Sequence, residues 1–270
     1  MPKSNHLLVF LEKYLYTAFG ALNLLTFGLL RHENRTKLGL IAEQFGWQNP
    51  KKQNPLILPF IDPQKKFPNG PDVKIFYPEG RPGNVSLLEL LVLNTLVQLA
   101  QPKTIFEIGT FDGRTTLNLA ANAPDDAKVY TIDLPKEEYA KARENPQSDS
   151  RFIGKAGNSL KFYGTPEEKK IIELRGNSLK FDFSPYRKKI DFIFIDGGHT
   201  YDFVSNDTRN ALNMIKDDGI IAWHDYKNTS YGVTKTLNDL YAKGEKFKNL
   251  HSVKGTTLAL LLPDNILELF

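Results

Sequence analysis

The sequence predicts an α/β fold: a mostly parallel, doubly wound sheet with helices on its faces, closed by an antiparallel hairpin. Two observations predict it. From residue 84 onward, apolar runs alternate with amphipathic stretches, the pattern of consecutive βαβ units. The chain then closes with two β-like runs, Phe247–Val253 and Thr256–Leu262, joined at Lys254-Gly255 by a short hairpin-like turn.

Each element has a local reason. Ser86-Leu87-Leu88-Glu89 is a capping box, in which the Ser hydroxyl accepts from an orphan N–H and the Glu carboxylate reaches back. It opens a helix to about Ala100. Strands are expected at Lys103–Ile108, Lys128–Asp133, Ile171–Arg175, Ile190–Asp196 and Gly219–Asp225. Helices are expected at Arg114–Ala121, Tyr201–Ile215 and Tyr231–Ala242. Residues 84–270 therefore form the main domain. Residues 50–83 hold Pro50, Pro55, Pro59, Pro63, Pro68, Pro71, Pro78 and Pro82, half of the 16 prolines. Proline fixes φ and removes a donor, so this stretch reads as an extended linker over a surface, excluded from helices and central strands.

Residues 1–49 read as a helical extension. Leu7 to Leu30 is apolar and approaches the length of a bilayer span, but Glu12 and Lys13 interrupt it. The part from Tyr14 to Leu30 is short for a span and carries Thr17, Asn23, Thr26 and two glycines. No small-residue cleavage site of a signal peptide is evident. Three placements are open: packed on the domain or a dimer partner, lying on a membrane surface, or spanning it.

Composition excludes several functions. With 41% hydrophobic and 24% charged residues, the chain is not disordered throughout. A net charge of +4 over 270 residues does not make a nucleic-acid binder. The absence of cysteine removes disulfides, thiolate metal sites, iron–sulfur clusters and a cysteine nucleophile. It fits a cytoplasmic setting, with membrane association left open. The five histidines and the carboxylates remain for metal or acid–base chemistry.

In open α/β sheets, ligands bind beyond the carboxyl ends of the strands. The first strand ends in Glu107-Ile108-Gly109-Thr110-Phe111-Asp112-Gly113, a tight turn into a helix N-terminus. A dinucleotide fingerprint wants glycine where Phe111 stands, which argues against NAD or FAD. The second strand ends in Asp133, twenty residues past Gly113, where a carboxylate suits a ribose diol. The third is followed by Gly176-Asn177-Ser178, whose polar groups suit an adenine edge or a plain turn. The fourth delivers Asp196, two glycines and His199; the fifth delivers His224 and Asp225. Two neighbouring strands thus present an Asp and a His at one rim, the convergence expected of a site. A cap on the helix near Tyr201 is the other reading of His199.

With these residues in view, the span from about 84 to 262 resembles the class I S-adenosylmethionine (SAM)-dependent methyltransferases. EIGTFDG looks like their first motif and YTIDLP like their second, and the closing hairpin is similar to that of their seven-stranded, Rossmann-like sheet. More narrowly, FDFSPY, IDFIFIDGGHTYDFVSNDTRNAL and GIIAWHDY resemble the branch of the macrocin and mycinamicin sugar O-methyltransferases. The resemblance implies a SAM site at Glu107, Gly109, Asp112, Gly113, Asp133 and Ser178. It implies a divalent cation, Mg²⁺ or a softer ion, at Asp196 and Asp225, with His224 as a further ligand. Catechol-type relatives follow the second Asp with Asn; this chain has Tyr226. A sugar hydroxyl needs a base, a cation that lowers its pKa, or both, so His199 is the expected base and Asp196 its carboxylate partner. The expected acceptor is a sugar, glycan or other small molecule, and the expected assembly a homo-oligomer with peripheral membrane contact through the N-terminal helix. Two alternatives stand beside this: a metal-dependent hydroxylase using His199, His224 and a carboxylate, and a non-catalytic membrane-attached binding module.

Overall fold

Strands form where the apolar runs lie, and the central ones, Thr104–Ile108 and Ile190–Ile195, are buried on both faces. The structure is a computed structural model and describes residues 6–31, 34, 38, 55–63, 70–138, 159–227, 232–244 and 247–268. The chain divides into two units, Met1–Gln53 and Asn54–Phe270. In the first, helix α1 (His6–Leu25) is followed by a 3₁₀ turn, Phe27–Leu30. Most of the expected extension beyond Arg31, and Tyr231 at the expected start of the last long helix, lie outside the described residues. Among the described residues, no helix is long and apolar enough to cross a membrane.

The second unit contains β1 (Phe60–Ile61), α2 (Leu87–Ala100), β2 (Thr104–Ile108), α3 (Arg114–Asn122), β3 (Lys128–Asp133) and β4 (Ile171–Arg175). It continues with β5 (Ile190–Ile195), α4 (Tyr201–Met214), β6 (Ile215–Trp223), α5 (Gly232–Tyr241), β7 (Leu250–Val253), β8 (Ala259–Leu261) and α6 (Asp264–Leu267). The sheet order is β1-β7-β8-β6-β5-β2-β3-β4. β8 runs antiparallel to β6 and β7, and the other pairings are parallel. Alternate residues feed two cores. Ile105, Phe192 and Phe194 join Leu90, Leu93 and Leu119 on the α2–α3 face; Phe106, Ile193 and Ile195 join Val204, Met214 and Leu237 on the α4–α5 face. This is the doubly wound arrangement.

The described sheet has eight strands, not seven. The extra strand, β1, comes from the proline-rich stretch and pairs at the edge, where proline's missing N–H is tolerated. Ser252 N–H donates to the Pro59 carbonyl at 2.8 Å and Lys254 N–H to that of Ile61 at 2.9 Å. Further along, side chains hold the stretch extended. The buried Arg114 donates to the carbonyls of Tyr77, Pro78 and Val85, while Asn118 and Asn122 bond the backbone of Phe76 and Lys74. β6 starts at Ile215, before the expected Gly219. The β5–β6 pairing shifts register between Ile190 and Phe192, and a Cβ on Gly219 would lie 2.6 Å from the Ile215 side chain. The hairpin loop spans 254–257, longer than a two-residue turn, with Val253 N–H donating to the Leu258 carbonyl at 3.0 Å.

Candidate active site

The capping box of α2 forms as the sequence predicts: Ser86 N–H donates to Glu89 Oε2 at 2.7 Å, and Glu89 N–H to Ser86 Oγ at 3.3 Å. Glu89 does more than cap. Its Oε1 accepts from Thr257 N–H (2.7 Å) and Oγ1 (2.8 Å), in the hairpin loop. Its Oε2 lies 3.3 Å from His224 Nε2.

At the carboxyl edge of β5 and β6, Asp196, His199, His224 and Asp225 converge. His224 Nδ1 is 3.0 Å from Asp196 Oδ1 and 3.6 Å from Asp225 Oδ2. His199 Nε2 is 2.8 Å from Asp225 Oδ2 and 3.7 Å from Asp196 Oδ1. Lys227 Nζ also donates to Asp225 Oδ1. Asp225 has φ 65°, a left-handed conformation uncommon for aspartate, between β6 and the turn that carries Lys227. Burial pushes His224 down, but the charge and hydrogen bond of Asp196, with Glu89, outweigh it and hold the imidazole well above its ordinary value. Burial likewise raises Asp196 and Asp225, yet the histidines hold both below the ordinary carboxylate value. Both ring nitrogens of His224 are thus turned to carboxylates, Nδ1 to Asp196 and Nε2 to Glu89. The ligand-like group is Asp196, His199 and Asp225, with one donor atom from each within 4.8 Å of the others.

His199 does not cap the following helix: Thr200 is the N-cap and accepts from Phe203 N–H. The His199 carbonyl instead accepts from Gly232 N–H at 2.7 Å, which ties it to the start of α5. Gly198 permits this turn, since a Cβ there would lie 2.7 Å from the Phe203 ring.

The glycine loop abuts this cluster. Gly109 has φ 104°, and a Cβ on it would sit 2.1 Å from the Asp196 carbonyl oxygen, so only glycine fits between β2 and β5. Gly113 has φ 76° and precedes α3. Asp133, at the end of β3, accepts from Phe111 N–H at 2.9 Å and Leu134 N–H at 2.7 Å, and burial raises its pKa. Each of its oxygens is left with a further lone pair. Glu107 points into the protein: it is fully buried and accepts from the hydroxyls of Thr116 and Thr131. Burial pushes it up to about 8. Asp112 is engaged by Arg81 at 3.0 Å, Lys161 at 3.3 Å, Asn84 and the Arg114 N–H. The Ser178 carbonyl accepts from Asn206, beside the buried Asp207, which burial pushes up to about 6. Tyr226 faces away from the cluster: its hydroxyl accepts from Ile57 and Leu58 N–H and donates to Asn238. Next to His224, the buried Trp223 donates its indole N–H to Thr208 at 2.9 Å.

The sequence singled out the four rim residues but not Glu89, Thr257 or Lys227. Glu89 was visible only as a cap; the spacing of 135 residues to His224 carries no local signal.

Residues 106–226 match a family model described as a methyltransferase domain. The chain is 28% identical over 148 residues to a caffeoyl-CoA O-methyltransferase of Stellaria longipes, covering 54% of each chain. It is 29% identical over 137 residues to caffeoyl-CoA O-methyltransferase 2 of Petunia hybrida, covering 51% of this chain and 50% of that one. The chain spans about half the length of the curated relatives it matches. An O-methyltransferase of Bacillus cereus solved with SAH is 18% identical, with a TM-score of 0.48 over 68% of this chain and 84% of that one. The segment from Phe106 to Tyr226, which carries the glycine loop and the Asp/His cluster, is the part of the chain that is similar to methyltransferase domains.

Proposed function

We propose that this chain transfers a methyl group from SAM to a hydroxyl of a small-molecule acceptor, with a sugar or glycan as the favoured class. The single observation that carries the reading is the cluster of Asp196, His199 and Asp225 against the glycine loop, where Gly109 leaves no room for a Cβ beside the Asp196 backbone. Asp133 fits the ribose of SAM, because both of its oxygens are oriented by backbone N–H groups and keep lone pairs for two hydroxyls. SAM, when bound, supplies an already activated methyl group. The chain's own part is to align the acceptor and take its proton. His199 is the group that takes that proton, and Asp225, 2.8 Å from its Nε2, stabilises the imidazolium. Asp196 orients the acceptor from the other side.

The donor set also fits a divalent cation. Glu89, Asp196 and Asp225 carry three negative charges against His224 and Lys227, so the cluster retains one uncompensated charge before His199 is counted. Asp196 and Asp225, with or without His199, would hold the ion, which when bound lowers the pKa of a coordinated hydroxyl. A hydroxylase centre of two histidines and one carboxylate needs His224 as a ligand, and its two nitrogens face Asp196 and Glu89. The sugar acceptor rests on the resemblance of IDFIFIDGGHTYDF and WHDY to the macrolide-sugar branch; the names of the plant relatives favour a phenolic hydroxyl instead.

The test is a methyl-transfer screen with labelled SAM against sugar, lipid-linked glycan and catechol acceptors, with and without chelator. Transfer to the sugar class is expected. Asp133→Ala should weaken SAM binding by about 1.5–3 kcal/mol per lost charge-assisted bond, read by calorimetry. Unchanged affinity would remove Asp133 from the SAM site.

A further inference from the structure

The net charge of the chain is not shared between its two units. Residues 1–53 contain seven Lys and Arg against three Glu, which is the whole +4. Taking 7 from 35 and 3 from 31 leaves 28 of each sign in residues 54–270, so that unit is neutral.

The charged unit also carries the most exposed apolar surface. At about 100° per residue, the side chains of Phe10, Tyr14, Leu15, Phe19, Leu22 and Leu25 fall within about half of the α1 circumference. They are 57–70% exposed. The opposite arc holds Glu12, Lys13, Gly20 and Asn23, together with Tyr16 and Leu24. The hydroxyls that border or follow the apolar arc are satisfied by the helix itself: Thr17 donates to the Lys13 carbonyl at 2.7 Å and Thr26 to that of Leu22 at 2.8 Å. The 3₁₀ turn continues the apolar surface with Phe27, Leu29 and Leu30, and ends at Arg31. A continuous apolar arc, charged residues confined to the other side and an excess of cations in the same unit suit an in-plane interfacial helix.

We propose that α1 and its 3₁₀ turn are an anchor that lies in the plane of a bilayer surface rich in anionic lipid. Insertion of the apolar arc to the depth of the acyl boundary covers the exposed aromatic and leucine side chains. Lys13 extends its stem along that boundary and keeps its ammonium at headgroup level. The positive charge of residues 1–53 supplies the preference for anionic lipid, against a remainder of the chain with no net charge.

The test is co-sedimentation of the full chain with vesicles of phosphatidylcholine alone or mixed with phosphatidylglycerol. Binding about tenfold stronger to the anionic vesicles is expected, falling steeply with salt and released by alkaline carbonate. Lys13→Glu with Arg31→Glu should abolish the lipid preference while retaining weak binding. Phe19→Glu with Leu22→Glu should abolish binding to both vesicles, with SAM affinity unchanged as the control for folding of the second unit. Equal binding to both vesicle types, no binding to either, or resistance to carbonate would each overturn the proposal. So would a Phe19/Leu22 variant that keeps vesicle binding but changes the oligomeric mass, which would assign the face to a second copy of the chain.

Discussion

Three carboxylates meet two histidines and a lysine in the cluster, and the two histidines have different tasks. His224 is bracketed by Asp196 and Glu89, whereas His199 touches Asp225 and is the proposed base. His199→Ala should lower kcat by about 10²–10⁴-fold with SAM binding intact, and should remove the acid limb of the kcat–pH profile. If chelation costs wild type its turnover but leaves the residual rate of His199→Ala unchanged, His199 acts as a ligand instead. Glu107 offers a second residue-scale test. Its folded value of about 8 lies above the ordinary 4.5, so the folded state holds the proton more tightly than the unfolded state does. The stability this brings is complete below about pH 4.5 and is lost as pH rises through 8, on the order of a few kcal/mol. Glu107→Gln keeps an oxygen for the Thr116 and Thr131 hydroxyls and should flatten that decline in urea titrations. A smaller slope between about pH 4 and 6 should survive from Asp207, which is shifted in the same direction.

At the scale of elements, Glu89 joins three: the start of α2, the 254–257 loop and the end of β6. Glu89→Ala should cost about 3–5 kcal/mol, because it strands a buried imidazolium as well as a helix cap. Glu89→Gln should recover part of this, and denaturant midpoints for the pair separate capping from charge. The same elements mark what the sequence could disclose. The apolar strands β2, β3, β5 and β6 and the acidic groups at their ends were legible because an apolar run and its terminal residue are adjacent in the chain. β1 was not, since two residues among prolines become a strand only because β7 presents a free edge beside them. The start of β6 was missed because Ile215 pairs through an irregular register that no periodicity announces. Asp112 was expected in the SAM site through the resemblance alone. Arg81 and Lys161, 31 and 49 residues away, engage its carboxylate in a way that the loop alone does not reveal.

At the scale of the molecule, the charge division makes a direct statement about solution behaviour. Removing residues 1–53 leaves equal numbers of acidic and basic side chains, so the isoelectric point should fall from about 8.9 to near 7, and retention on a cation exchanger at pH 7 should be lost. Isoelectric focusing of the two forms checks this, and a shortened form that stays strongly basic would contradict it. The two tryptophans are divided in the same way. Trp47 belongs to the first unit and Trp223 to the second, where it is 1% exposed and immediately precedes His224. A Trp47→Phe chain therefore has one indole, shielded from water and bonded to Thr208. Its fluorescence should be blue-shifted and should move to the red when the second unit unfolds, so the folding of that unit can be followed optically, without a label and without turnover.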